Sequence, residues 1–128
     1  MAVITEEMKQ FLEANRPSYV ATTSAAGIPN VSPKRTIRVL DENHLAFAEI
    51  LSPKTRQNLK ENNNVCVLLM NAQEARGYQF KGKAEYITSG ELYDSISAEI
   101  KQAMPQFPPV KGVVKIKVDD IFEFGQKR

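Results

Sequence analysis

The chain has 128 residues, of which 42% are hydrophobic and 25% are charged, and its formal net charge at pH 7 is +2. This length suits one domain with an ordinary hydrophobic core, and the composition is typical of a soluble globular protein. So small a net charge argues against a dedicated nucleic-acid binder, although a local basic patch stays open. The single cysteine excludes an intrachain disulfide and a cysteine-based metal cluster.

The first fifty residues predict one helix followed by three strands. Thr5 can cap the helix, which ends before Arg16-Pro17 because the residue before a proline avoids helical geometry. The predicted strands cover residues 18–24, 30–40 and 45–50. Short turns join them, so we expect antiparallel pairing.

The middle of the chain predicts a short polar helix and two strands of different character. Ser52 and Pro53 suit the N-cap and the first position of the helix. The continuous apolar run over residues 65–70 is typical of a strand that is buried on both faces. Residues 77–87 alternate between apolar and polar, which indicates one wet face, and Gly82 favours a bulge or a sharp bend.

The remaining residues predict a helix over 89–103 and strands over 113–118 and 121–124, interrupted at residues 119–120. The total is six or seven strands with about three helices, and no strand–helix–strand rhythm is present. Strands of this number and pattern favour a small antiparallel barrel with helices outside it, because closure removes exposed sheet edges.

Two cations stand at the start of the central helix. Lys54 and Arg56 lie where the helix dipole is already positive, which costs each about 0.3–1 kcal/mol. A bound anion would remove this conflict, since backbone N–H groups and cations would then face one negative group. We therefore expect a phosphate group to bind here. The alternative interpretation is a surface helix with two solvated cations.

A second basic group lies in the extended run over residues 30–40. It consists of Lys34, Arg35 and Arg38. The hairpin that follows this run returns the chain towards it, so both basic groups can flank one cleft. Pro33 cannot donate a ladder hydrogen bond, which favours irregular backbone with groups free to contact a planar heterocycle. The alternative is a charged outer strand face.

The inventory of catalytic side chains is small. His44 is the only histidine and lies in a polar turn, which argues against hydrolytic triads and multi-histidine metal sites. Neither a phosphate-binding Walker loop nor a dinucleotide glycine fingerprint is present. We therefore assign no catalytic residue and no metal site. The sequence shows no signal-peptide pattern and no long apolar run, so we expect a cytoplasmic protein without a membrane partner.

The order of these segments is similar to that of one known family. Its most specific pieces here are Ser32-Pro33-Lys34-Arg35-Thr36, Ser52-Pro53-Lys54-Thr55 and Lys81-Gly82-Lys83-Ala84-Glu85. In order and spacing the chain resembles the pyridoxamine 5′-phosphate oxidase-like family of FMN-binding split β-barrels, in particular its minimal flavin-binding members. The resemblance covers about residues 6–124 and implies one FMN-binding split-barrel domain over residues 1–128.

The resemblance implies a homodimer with FMN at the subunit interface. Lys54 and Thr55 would hold the FMN phosphate, with Ser52 supporting the turn. The residues that would line the isoalloxazine ring and the ribityl chain, partly through backbone, are Ser32, Pro33, Lys34, Arg35 and Thr36. Ala48, Glu49 and Ile50 would form the opposite wall.

The expected function is that of an FMN-binding oxidoreductase, which passes electrons or hydride between FMN and a small-molecule or protein redox partner. The chain departs from true pyridoxamine phosphate oxidases, because it lacks their C-terminal substrate-binding segment with its arginine and histidine pattern. This argues against oxidation of pyridoxamine phosphate itself. Two alternatives stay open: a deazaflavin or haem in the same interface, and a non-enzymatic module that binds nucleic acid or another anion, although nucleic acid is the less expected partner.

Overall fold

Seven strands form one antiparallel sheet against which three helices pack, in a computed structural model that describes residues 2–125. The helices are α1 (Glu6–Ala14), α2 (Pro53–Glu61) and α3 (Glu91–Ala103). The strands are β1 (Ser18–Thr23), β2 (Pro29–Lys34), β3 (Arg38–Asp41), β4 (His44–Glu49), β5 (Asn64–Asn71), β6 (Arg76–Ile87) and β7 (Gly112–Phe124). The predicted mainly-β fold with about three helices is confirmed.

The connection between β2 and β3 makes the sheet curl. The strand order is β2-β1-β5-β6-β7-β4-β3, so these two consecutive strands stand at opposite edges. In a flat sheet six spacings of about 4.8 Å would separate the edges by about 29 Å. The four steps from Lys34 to Arg38 reach about 14 Å at most. The sheet therefore closes on itself into a split barrel whose opening, here called the split, lies between β2 and the β4–α2 segment.

The predicted single strand over residues 30–40 is wrong, because the chain breaks at residues 35–37 and changes sheet edge there. Ile37 is fully buried at the break. Its carbonyl oxygen accepts hydrogen bonds from Nη2 and Nε of Arg16, at 3.0 and 3.3 Å. Arg16, two residues after the end of α1, therefore fixes the connection between the two edges.

Two clusters of apolar side chains form the core. The larger fills the barrel and includes Val20, Leu45, Phe47, Val67, Leu69, Phe80 and Ile116. The N-terminal helix packs on it through Phe11, whose ring meets the edge of Tyr78 at a centroid distance of 5.2 Å. The smaller cluster joins Ile96 and Ile100 of α3 to β4. As predicted, Thr5 caps α1, because its hydroxyl accepts from the N–H of Met8 at 3.2 Å.

Strand β5 is buried on one face only, which corrects the prediction of a strand buried on both. Val65, Val67 and Leu69 point into the barrel, whereas Cys66 and Leu68 are half-buried on the outer face. Strand β5 carries apolar side chains on both faces, but the rest of the chain covers only the inner face. The outer face of β5 is therefore apolar and only partly covered.

A bulge interrupts the pairing of β6 with β7 at Gly82, where the sequence predicts one. Lys81 pairs with Asp120 and Gly82 pairs with Val118, which leaves Asp119 as the extra residue. The predicted interruption at residues 119–120 is this same bulge, and β7 runs through it as one strand. A Cβ on Gly82 would lie 2.0 Å from the carbonyl oxygen of Lys117.

None of the helices within residues 2–125 is long and apolar enough to span a membrane.

We expect Gly82→Ala to lower the free energy of unfolding by about 1–3 kcal/mol, because the added methyl group meets backbone that cannot move aside. Urea unfolding at one fixed protein concentration measures this change. Glu85→Ala, at an exposed position of the same strand, is the control and should stay within about 0.5 kcal/mol of the parent. Equal stability of the two variants would show that the strands separate easily at the bulge.

Candidate functional site

Side chains of β2 reach across the split to the start of α2. Ser32 and Lys34 lie two residues apart, so both point to the same face of the strand. The amine of Lys34 donates to the hydroxyl of Ser52 at 2.5 Å. The hydroxyls of Ser32 and Thr55 are 3.1 Å apart and hydrogen-bonded. The structure therefore brings together four of the residues that the sequence predicts for the site.

Thr36, on the connection between β2 and β3, also bonds across the split. Its hydroxyl accepts from the backbone N–H of Ala48 at 2.9 Å, and it lies 3.4 Å from the carbonyl oxygen of Ala48 as a donor. These are the two backbone groups that a neighbouring strand would pair with. The side chain of Thr36 thus replaces a ladder contact where the backbone of the barrel is open.

The predicted side-chain cap by Ser52 is wrong. Ser52 precedes α2 with φ −131° and ψ 70°, and its hydroxyl makes no capping bond because it accepts from Lys34 instead. Pro53 has no N–H, and the N–H of Arg56 already donates to the carbonyl of Ser52 at 3.1 Å. Within the described residues, the first turn of α2 is therefore left without a side-chain cap.

A buried carboxylate stands behind this helix start. Glu49 is fully buried, and its Oε1 accepts from the phenol of Tyr86 at 2.7 Å, while its Oε2 accepts from the N–H of Ser52 at 3.2 Å. The guanidinium of Arg56 lies 3.7 Å from Oε1. Burial, followed by the bond to Glu49, raises the pKa of Tyr86 well above its ordinary value of 10.0. A Cβ on Gly112 would meet the Tyr86 ring at 2.4 Å, so glycine leaves room for the ring.

This cluster changes the electrostatic hypothesis for α2. Arg56 has an internal counterion in Glu49, so its position near the positive end of the helix needs no external anion. Lys54 is exposed, and within residues 2–125 no carboxylate lies within 4.0 Å of its amine. Because Arg56 is paired with Glu49, Lys54 is the cation at this helix start that an external anion can reach. The side chain of Thr55, which lies between Lys54 and Arg56 in sequence, is fully buried.

Lys34 is buried inside the split. Only 8% of its surface is exposed, and its amine lies 5.4 Å from the centre of the Phe47 ring. Burial lowers the pKa of this amine below its ordinary value of 10.5, and the nearby charge of Glu49 partly opposes the shift. Keeping this amine charged between the two sheet edges therefore costs free energy.

The other predicted residues lie around this centre. Pro33 and Arg35 are exposed at the edge of the split. The side chain of Ile50 packs in the α3 cluster and not in the split. Arg38 pairs with Glu99 of α3 at 2.6 Å, so it does not join the basic group.

The residues that sequence reasoning missed are Tyr86 and Gly112. Tyr86 is 37 positions from Glu49, and no spacing rule links such distant residues. The one available signal was the glycine at the first position of β7, a strand rich in Val and Ile, because a glycine in such a strand often marks the close approach of another group.

His44 lies at the other end of β4 from Glu49, where its Nδ1 contacts the carboxylate of Asp41 at 2.8 Å. Its role in the described chain is to hold the turn between β3 and β4.

We expect Tyr86→Phe to lower the free energy of unfolding by about 1–3 kcal/mol, because a buried carboxylate oxygen loses its closest donor. A double-mutant cycle with Glu49→Gln, measured by urea unfolding, should give a coupling energy of about 0.5–3 kcal/mol. Glu85→Gln changes an exposed carboxylate next to Tyr86 and should be neutral. Additive effects of Tyr86→Phe and Glu49→Gln would contradict a direct interaction.

We also expect wild-type stability to rise with pH relative to Lys34→Met. The pKa of Lys34 is lowered in the folded chain, so the unfolded chain binds more protons between the folded pKa and 10.5. The cost of burying the charged amine is thus fully present below the folded pKa and is relieved as pH rises from there towards 10.5. Urea unfolding between neutral and alkaline pH tests this, and a flat difference would contradict it. Lys117→Met, at an exposed position, serves as the control.

Comparisons with known proteins identify the family. The family model described as pyridoxamine 5′-phosphate oxidase matches residues 4–124. An uncharacterized protein of Methanocaldococcus jannaschii is 39% identical over 122 residues, which cover 93% of this chain and 79% of that protein. The crystal structure of HupZ from Group A Streptococcus is 33% identical, with a TM-score of 0.84, over 95% of this chain and 94% of that one.

More distant structures share the fold. An FMN-binding protein from Syntrophomonas wolfei is 18% identical, with a TM-score of 0.82, over 98% of this chain and 88% of that one. The haem storage protein HutZ from Vibrio cholerae is 19% identical, with a TM-score of 0.71, over 95% of this chain and 94% of that one. The split barrel, the matched family model and the two more closely related proteins agree, and the chain belongs to the pyridoxamine 5′-phosphate oxidase family.

Proposed function

We propose that this protein binds FMN at the split and acts as an oxidoreductase that passes electrons or hydride between FMN and a small-molecule or protein partner. The observation that carries the proposal is the uncapped start of α2, which places the exposed Lys54 beside the opening between the sheet edges. Free N–H groups and a cation at a helix start are a phosphate-binding arrangement. Membership of the family and the FMN-binding neighbour support the choice of flavin.

The residues of the site fit the parts of FMN. Lys54 offsets the phosphate charge, and the buried Thr55 positions Ser32 rather than contacting the ligand itself. Ser32, Lys34 and Thr36 set the width of the split through their bonds to the β4–α2 segment. The flavin supplies the redox chemistry, and the chain supplies position and electrostatics.

The open outer face of the sheet supports a homodimer. Cross-strand pairs place Tyr19, Leu68, Gln79 and Phe122 in one row across β1, β5, β6 and β7. Val31 on β2 and Met70 on β5 share that face, and the exposed fractions of Tyr19, Val31, Met70 and Phe122 are 40%, 65%, 38% and 51%. The name outer patch is used here for Tyr19, Val31, Leu68, Met70 and Phe122.

Burying the outer patch against a second copy would remove a large apolar surface from water. Strand β2 contributes Val31 to the outer patch and Ser32 to the split, so the cofactor site borders this surface. We therefore propose that FMN lies at the interface between two subunits, as the resemblance implies.

Haem is the second candidate, because the neighbour HutZ is a haem storage protein. Haem iron needs an axial histidine, cysteine, methionine or tyrosine. The only histidine, His44, is bonded to Asp41 and lies five residues along β4 from Glu49, which is about 17 Å. His44 cannot reach the split within its own subunit, and the phenol of Tyr86 beside the split keeps its proton and donates to Glu49. Both observations favour a flavin.

The visible spectrum of protein purified without added cofactor, with the mass of any released ligand, separates the candidates. Flavin bands and the mass of FMN support the proposal. The mass of a deazaflavin or the Soret band of haem would identify that ligand as the cofactor in place of FMN. A colourless protein that takes up no FMN and binds polyanions with steep salt dependence would support the non-enzymatic module instead. The single FMN-binding domain and the cytoplasmic location stay predictions.

We expect Lys54→Ala to weaken FMN binding by about 1.5–3 kcal/mol, because a charge-assisted contact to phosphate is lost. Isothermal titration calorimetry with cofactor-free protein measures this. Lys117→Ala removes an exposed positive charge from β7 and is the control. Equal affinity of Lys54→Ala and wild type would count against the phosphate site.

We expect wild-type protein to have twice the chain mass of 14.4 kDa in light scattering after size exclusion. Tyr19→Glu with Phe122→Glu should shift the mass to that of one chain, because two charges would be buried in an apolar interface. Phe107→Glu changes an exposed aromatic residue outside the outer patch and should leave the mass unchanged. Persistence of the dimer in the double variant would place the interface elsewhere.

A further inference from the structure

A cavity of about 320 Å³ lies between α3 and residues 104–110, which connect this helix to β7 and are called the connector. The N–H of Phe107 donates to the carbonyl of Met104 at 3.0 Å, and the phenol of Tyr93 donates to the carbonyl of Val110 at 2.7 Å. Tyr93 and Met104 are separated by about 16 Å along the helix axis. The connector therefore runs beside α3, and we call the space between them the connector cavity.

The wall of the connector cavity is mainly apolar. Ile100 and Met104 line it on the helix side, and the connector contributes the ring of Phe107 and the prolines at positions 105, 108 and 109. Proline rings fix the backbone, so this wall is stiff before any ligand binds, which lowers the cost of binding. An apolar cavity of about 150 Å³ holds one benzene ring. The connector cavity therefore has room for a larger aromatic ring, such as indole.

Two polar groups on the helix side of the cavity have no partner in the described chain. Ser97 and Lys101 both line the cavity and are four residues apart, so they lie on the same face of α3. Within residues 2–125, the buried Oγ of Ser97 makes no hydrogen bond, which costs about 1–3 kcal/mol. In the same part of the chain, no carboxylate lies within 4.0 Å of the Lys101 amine. Both groups are donors that an anionic ligand would satisfy.

We propose that the connector cavity binds a small aromatic carboxylic acid. The ring would lie against Phe107 and the prolines, and the carboxylate would accept from Lys101 and Ser97. An ionised carboxylate is an acceptor without a donor, which matches these two groups, and its single charge matches the one cation in the wall. The proposal goes beyond the flavin function and does not depend on it, because no residue that lines this cavity belongs to the split.

The test uses full-length protein and isothermal titration calorimetry with indole-3-acetate, indole-3-ethanol and acetate. Indole-3-ethanol keeps the ring but has no negative charge, and acetate keeps the carboxylate but has no ring. The test variants are Lys101→Met, which keeps an apolar stem, and Ser97→Ala. Lys117→Met, at an exposed position of β7, is the control. Circular dichroism and urea unfolding establish that all variants are folded.

In wild type we expect indole-3-acetate to bind at least about tenfold more tightly than indole-3-ethanol or acetate. Lys101→Met should lower the affinity for indole-3-acetate by about tenfold and change that for indole-3-ethanol by less than about threefold. Ser97→Ala should also weaken indole-3-acetate binding, by about three- to tenfold. It should not lower the stability of the ligand-free protein, because its hydroxyl has no hydrogen bond to lose. The control should bind like wild type.

Four results would overturn the assignment. They are no binding of indole-3-acetate by wild type, equal affinity for indole-3-acetate and indole-3-ethanol, unchanged affinity for indole-3-acetate in both test variants, and displacement of indole-3-acetate by FMN. The two proposals fail separately. FMN binding without binding of the aromatic acid overturns only this site, and binding of the aromatic acid without FMN binding overturns only the flavin.

Discussion

The three-residue connection between β2 and β3 is the constraint on which the rest of the structure depends. It joins the two edges of a seven-stranded sheet, and so short a tether cannot span a flat sheet of that width. Curling buries the inner face of the central strands and places β2 opposite the β4–α2 segment. The split is thus a direct result of topology. The polar residues of β2 contact the start of α2 because the short connection holds the two sheet edges close together.

The split is held by side chains where backbone pairing stops. Thr36 bonds to the backbone of Ala48, and Lys34 bonds to Ser52. The buried carboxylate of Glu49 supports the same helix start from inside the barrel through Ser52 and Tyr86. Such groups are costly to bury unless every charge is paired or hydrogen-bonded. Their presence marks a place where the fold accepts polar groups in its interior to hold the start of α2 against β2.

Local patterns predicted the helices, most strand positions, the Thr5 cap and the bulge at Gly82, because each depends on neighbours in sequence. The predicted strand over residues 30–40 failed because extended backbone looks alike on both sides of a change of sheet edge. Pairing between distant residues decided the rest of the site. The hydroxyl of Ser52 accepts a hydrogen bond from Lys34 and does not cap α2. The Glu49–Tyr86 contact depends on the space that Gly112 leaves on a third element, β7.

The place of β7 in the sheet also affects how the chain is made. This strand lies between β6 and β4, so the hairpin of β3 and β4 meets the rest of the sheet only through the C-terminal strand. On the ribosome, residues 38–49 would emerge long before their partner at residues 112–117. The split therefore cannot form until β7 has left the ribosome, and unpaired strand edges are exposed to chaperones in the meantime.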